Sequence, residues 1–267
     1  MALFLFLYIC ISELVLNKNN VMEQQNTTQQ FPSEEVTLPS KGLLYPKDNP
    51  LSEGKIELKY MTAKEEDILS NSSYIRQGIV LDKLFKSLIV TKINYNDLLI
   101  GDKNAIMVAS RVLGYGNDYE FEYDGEKQTV DLSKIEFNVI DEKLFENGNS
   151  FSFTLPASKN TVTFKLLTHG DEVKIANEIK SLKKINKASD TTISTRLKHM
   201  ITSIEGDTDL KKIREYVDKY MLARDSRALR EYAKKITPDV DLSFFPDGQD
   251  DKASIPVGLS FFWPDIK

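Results

Sequence analysis

The chain has 267 residues, 41% of them hydrophobic and 28% charged, with a net charge of −5. This is ordinary globular composition, which excludes a collagen-like repeat, and the single cysteine, Cys10, excludes an internal disulfide framework and a cysteine-built zinc site. The charge is uneven: residues 171–236 hold 16 Lys/Arg against 11 Asp/Glu, which leaves the rest of the chain acidic.

Leu3 to Leu16 is an apolar run broken by Ser12 and Glu13. It is shorter than the roughly 20 apolar residues that span a bilayer. No Lys or Arg precedes it and no small-x-small cleavage site follows, as a secretory leader requires. Met22 then opens a polar stretch. Residues 1–30 therefore read as a disordered or wrongly assigned leader, with Met22 as the true start; a short membrane-associated or partner-binding helix is the alternative. Pro32, Pro39, Pro46 and Pro50, with Gly42 among them, predict an extended arm that lies on a surface and forms no core.

Lys55 to Tyr60 alternates apolar and charged residues and predicts a half-buried strand. Thr62 and Glu65 form a T-x-x-E capping box in front of a helix. Leu81, Leu84, Phe85, Leu88 and Ile89 place one apolar face on a helix over 79–90. A third helix covers 103–113, with Asp102 as its cap and Gly114 and Gly116 stopping it. Tyr119, Phe121 and Tyr123 alternate with Glu120 and Glu122, Asp124-Gly125 supplies a positive-φ turn, and 128–132 returns as the second strand. A second hairpin joins 151–155 to 161–168.

From Asp171 the apolar period changes to 3.6. Ile175, Ile179, Leu182 and Ile185 mark one helix. Ile193, Leu197, Met200, Ile201 and Ile204 mark the next. Leu210, Ile213, Val217, Tyr220 and Met221 follow, capped by Asp207 or Thr208. Leu229, Tyr232, Ala233 and Ile236 close the series, capped by Asp225. Val240–Phe245 and Ile255–Phe262, around Pro246-Asp247-Gly248, read as a last hairpin. The predicted fold class is α+β. A helix-rich N-terminal part with β-hairpins occupies 31–170, an amphipathic helical bundle 171–238, and a C-terminal β-hairpin 239–267. That hairpin should pack back on the α+β part, because two strands alone are not stable in water.

Catalytic constellations are hard to find. The two histidines, His169 and His199, sit on different elements, and neither reads as the base of a nucleophilic triad. Leu113-Gly114-Tyr115-Gly116 lacks a third glycine and follows a helix, the wrong context for a dinucleotide fingerprint. Glu65-Glu66-Asp67 and Asp250-Asp251 read as a helix N-terminus and a turn. The sequence predicts no enzyme, no cofactor and no metal site.

Met61-Thr62-Ala63-Lys64-Glu65-Glu66-Asp67-Ile68-Leu69, Val80-Leu81-Asp82-Lys83-Leu84, Ser87-Leu88-Ile89-Val90 and Asp97-Leu98-Leu99-Ile100-Gly101-Asp102-Lys103-Asn104-Ala105-Ile106 resemble the baseplate hub family of T-even-type phages. Leu38-Pro39-Ser40-Lys41-Gly42-Leu43-Leu44-Tyr45-Pro46 and the Phe261-Phe262-Trp263-Pro264 ending are similar to that family as well. The resemblance implies a non-enzymatic role in tail morphogenesis, as a hub assembly factor or a chaperone of the tape-measure protein. It implies tail or baseplate hub proteins as partners, without membrane. It also implies the host cytoplasm during infection, or the virion baseplate, as the location. Family members often carry Cys-x-x-Cys pairs in a hairpin after the glycine-rich stop; here that hairpin reads Phe121-Glu122-Tyr123-Asp124-Gly125-Glu126-Lys127-Gln128, without them. Within the matching words, Lys64, Glu65, Asp82, Lys83, Asp102, Lys103 and Asn104 are the interaction candidates, with Trp263 at the aromatic end. Asp82 and Lys83 stand out, since the polar side of their helix gives them no structural duty. One alternative is a structural subunit of the mature baseplate. Another is a nucleic-acid-binding factor using the basic helices between Lys174 and Lys235. The tyrosines there, Tyr216, Tyr220 and Tyr232, lie at core-like spacing, which counts against it.

Overall fold

The computed structural model describes residues 32–185, 190–246 and 251–262. By its contacts the chain divides into Met1–Pro32 and Ser33–Lys267, and all elements below belong to the second unit. The expectations about a leader and a start at Met22 lie outside the described residues, as do those about Asp247, Gly248 and Trp263.

The proline-rich segment is part of the core, which corrects the surface-arm expectation. Strand β1 (Ser33–Thr37) pairs antiparallel with β2 (Lys55–Lys59), Val36 opposite Ile56. Between them Leu38, Leu44, Tyr45 and Leu51 are buried. Proline removes backbone donors, but it does not prevent neighbouring apolar side chains from turning inward. The reversal that turns them runs through Lys41 and Gly42, both at positive φ. Only glycine fits at 42, because a Cβ there would meet the Ser52 carbonyl oxygen at 2.2 Å.

Helix α1 (Ala63–Ser70) opens with the Thr62–Glu65 capping box expected from sequence. Asn71 then caps a short helix that the periodicity did not reveal, α2 (Ser72–Gln77), which ends on left-handed Gly78. Helix α3 (Val80–Leu88) buries Val80, Leu84, Phe85 and Leu88 against the rest of the molecule. Helix α4 (Ile100–Tyr115) begins earlier than predicted and runs through Gly114, which packs against the Met61 side chain, to stop at Gly116. Strands β3 (Asp118–Tyr123) and β4 (Glu126–Asp131) form the expected hairpin, with Asp124 and Gly125 both at positive φ.

The second hairpin, β5 (Phe151–Thr154) and β6 (Thr161–Phe164), gains a third strand, β7 (Ile201–Ile204), giving sheet order β5-β6-β7. The helix predicted over 193–204 therefore stops at Met200. Ile201 and Ser203 are buried while Thr202 and Ile204 are less so, a period of two. The apolar spacing fitted both periods at this end, and β-branched Ile and Thr favour the strand once an edge is present to pair with.

Helices α5 (His169–Ile185), α6 (Thr192–Met200), α7 (Leu210–Lys219) and α8 (Ala223–Ile236) complete the α+β fold. They do not pack only on each other. β7 lies between α6 and α7 in sequence, and Tyr232 of α8 stacks on Phe153 of β5 at 4.8 Å. One apolar core contains residues from Leu38 to Phe262. The last hairpin is smaller than predicted, with two residues in each of β8 (Ser243–Phe244) and β9 (Ala253–Ser254). Leu259–Phe262 is a 3₁₀ turn instead of a strand. Phe244 lies 5.0 Å from Phe121 and Phe261 4.8 Å from Tyr119, ring to ring. Phe261 and Phe262 are fully buried, so these two aromatics fill their own core and offer no anchor to a neighbour.

Candidate interaction site

Among the described residues, the four buried carboxylates share one position: Glu65, Asp102, Asp171 and Asp225 are each the third residue of a helix. A carboxylate there meets the positive end of the helix dipole. Two serve their own helix. Glu65 accepts from the Thr62 amide at 3.0 Å and the Thr62 hydroxyl at 2.6 Å, and also from Lys59 at 2.9 Å and Ser87 at 2.6 Å. Asp171 accepts from the Thr168 amide at 3.2 Å and Lys165 at 2.7 Å.

The other two reach across the fold. Asp102 accepts from the Ser40 amide and hydroxyl and from the Tyr45 hydroxyl, at 2.9, 2.7 and 2.6 Å. Asp225 accepts from the amides of Ala157 and Ser158, in the β5–β6 turn, at 2.7 and 3.0 Å. Neither is the cap predicted from sequence. The cap positions are Leu99 and Leu222, without a side-chain acceptor, and α7 is capped by Asp209 instead of Asp207 or Thr208. Burial opposes ionisation of Glu65, but its bonds from Ser87, Thr62 and Lys59 outweigh burial and lower its pKa to about 2. For Asp102 burial wins over the bonds from Tyr45 and Ser40, and its pKa is raised.

Asp82 is not the freely solvated residue that its helix face suggested. Its Oδ1 accepts from Lys103 at 2.6 Å and from the Tyr95 hydroxyl at 3.0 Å. The Tyr95 ring lies edge-on to buried His169 at 4.6 Å, and Lys103 Nζ is 3.3 Å from His169 Nδ1. The Tyr95 residue arrives on a short turn between α3 and α4, so the polar stripe of α3 is covered by a segment that helix periodicity ignores. Burial lowers the His169 pKa, with Asp82 opposing and Lys103 adding to the shift. Asn104 donates to Asp239 at 2.9 Å.

Five of the predicted interaction residues thus have internal partners: Glu65, Asp82, Asp102, Lys103 and Asn104. Lys64 and Lys83 are exposed, the latter 5.7 Å from the centre of the Tyr74 ring. Ser40, Tyr45 and Ser87 were not singled out from sequence, although they lie in segments 38–46 and 87–90 and supply the partners of Asp102 and Glu65.

The basic helices carry much of their charge in ion pairs. Arg196 pairs with Glu172, Lys198 with Asp218, and Arg214 with Glu178, which also meets His199 at 2.9 Å. The Arg214 guanidinium is the main reason that the Glu178 pKa falls to about 2. The outer half of α5 is different. Of its predicted apolar stripe only Ile175 is buried; Ile179 and Leu182 are half-buried and Ile185 is 85% exposed, with Lys180, Lys183 and Lys184 around them. A cleft of about 300 Å³ opens elsewhere, lined by the start of α4, by α6 and by the second half of α8.

Among the described residues, no three metal-ligating side chains converge, and no helix is long and apolar enough to cross a membrane. No protein-family model, curated protein or solved structure matches this chain.

Proposed function

We propose that this chain is a non-enzymatic morphogenesis protein of a T-even-type phage tail, acting as a hub assembly factor or tape-measure chaperone through protein–protein contact. The observation that carries this reading is the resemblance of residues 38–46, 61–69, 80–84, 87–90 and 97–106 to the baseplate hub family. Those words are not independent of one another. Ser40 and Tyr45 bond Asp102, Ser87 bonds Glu65, and Lys103 bonds Asp82, so the matching polar residues describe one joined frame.

Contact with other proteins is supported by the outer half of α5, where Lys180, Lys183 and Lys184 surround half-buried Ile179 and Leu182 and exposed Ile185. Nucleic-acid binding is the weaker reading, because acidic partners already neutralise Arg196, Lys198 and Arg214, which reduces the field available to phosphates. The test is affinity capture of the tagged chain from infected cells, with mass spectrometry of bound proteins and of purified virions. Tape-measure or hub proteins in the capture, with the chain missing from virions, support an assembly factor. Presence in virions turns the reading to a structural subunit. Capture without any tail protein overturns both.

A further inference from the structure

The cleft between α4, α6 and α8 has an apolar floor that includes Leu99, Leu166, Leu197 and Met200. Its volume of about 300 Å³ lies at the low end of ligand pockets, which run from roughly 300 to 1,000 Å³. One large side chain fits such a space. The rim is cationic. Arg196 is already neutralised by Glu172. Arg230 and Lys234, one turn apart on α8, are exposed, and neither has a carboxylate partner among the described residues.

We propose that this cleft docks a partner segment that inserts one large apolar or aromatic side chain flanked by acidic residues. The inference deepens the assembly reading and rests on it, because it names the chemistry of the partner. Acidic flanks follow from Arg230 and Lys234: a neutral or basic segment over the mouth would cover two cations without pairing them, while carboxylates would satisfy both. The apolar insert follows from the mainly apolar lining, which gives a charged side chain little to replace its water.

The test uses the full chain with ¹³C-methyl methionine, the Met200 signal being assigned through Met200→Leu. A capped Glu-Glu-Trp-Glu-Glu peptide is titrated beside its lysine-flanked counterpart and beside laurate. The acidic peptide should shift the Met200 methyl signal saturably, and the lysine-flanked peptide should not. Arg230→Glu with Lys234→Glu should weaken the acidic peptide by about ten-fold, with an unchanged melting temperature as the check that the fold survives. An unmoved Met200 signal at millimolar acidic peptide overturns the proposal. So does an equal response to the lysine-flanked peptide, a response to laurate alone, or a Met200 shift that follows protein concentration and reveals a second copy in the cleft. Failure here with tail proteins still captured from infected cells removes the cleft and leaves the assembly reading. Peptide binding without such capture removes the assembly reading and leaves the cleft.

Discussion

Ser40 and Asp102, 62 residues apart, are joined twice: the Ser40 amide bonds Oδ1 at 2.9 Å and its hydroxyl bonds Oδ2 at 2.7 Å. Tyr45 adds a third bond to Oδ2 at 2.6 Å while its oxygen accepts from the Leu99 amide at 2.9 Å. The proline-rich segment is thereby fastened to the first turn of α4. Asp102→Ala strands three buried donors, so chemical denaturation should show a loss of about 3 kcal/mol or more, at about 1–3 kcal/mol for a buried polar group left unpaired. Tyr45→Phe should cost less, about 1–2 kcal/mol. A loss below about 0.5 kcal/mol for Asp102→Ala, the range of ordinary surface changes, would mean that this junction does not hold the segment.

Acid should weaken the fold through Glu65. Its folded pKa of about 2 lies below the ordinary 4.5, so its contribution is complete above pH 4.5 and fades as pH falls towards 2. A displacement of that size corresponds to about 3 kcal/mol. Asp102 runs the other way: its raised pKa favours the protonated form in the folded state, a contribution lost as pH rises through the folded value. Melting temperatures taken from pH 7 to pH 2 should fall most steeply between 4.5 and 2. Glu65→Gln should lower stability at pH 7 and flatten that acid limb in part, Glu178 supplying loss over the same range; an unchanged limb would assign the acid loss to Glu178 and the other carboxylates.

Reversing charge at two adjacent residues of α3 should give unequal results. Asp82→Lys places a cation against Lys103 and breaks the bond from Tyr95, for a cost of about 2–3 kcal/mol. Lys83→Glu disturbs only an exposed ammonium near the Tyr74 ring, within about 0.5 kcal/mol. Thermal melts of the two variants distinguish a polar residue that serves the frame from one that is free for a partner. Equal losses would place Lys83 in the frame too.

On the outer half of α5, Lys183→Glu and Ile185→Glu should leave the melt within about 0.5 kcal/mol of the parent, since neither side chain is buried. Capture of tail proteins from infected cells should drop in the same variants. Undiminished capture would move the contact surface away from α5.

The legible features were those written within a few residues. Thr62 and Glu65 announce α1, Asp124-Gly125 announces the β3–β4 turn, and the spacing from Leu81 to Ile89 announces α3. Asn71 and Gly78 mark α2 just as locally, but six residues between them are too few to display a helical period. Residues 201–204 misled because their apolar positions suit either a helix or a strand, and the choice depended on β6, which lies some forty residues upstream. The interaction candidates stood out in the sequence as a group of polar residues. Their duties were not, since Asp82 looks solvated until Tyr95 covers it.

The residues by themselves determined that this protein would be α+β, with most of its helix and hairpin positions, because capping, turn geometry and apolar period act over one or two turns of chain. Tertiary structure decided which charged residues are inside. Glu65, Asp102, Asp171 and Asp225 look alike in sequence, each an acid in the first turn of a helix. Their partners lie at very different distances along the chain: Thr168 is three residues from Asp171, whereas Ala157 is 68 residues from Asp225. A carboxylate is buried only where donors arrive to replace its water. For Asp102 and Asp225 those donors come from distant loops, which only the folded chain brings within reach.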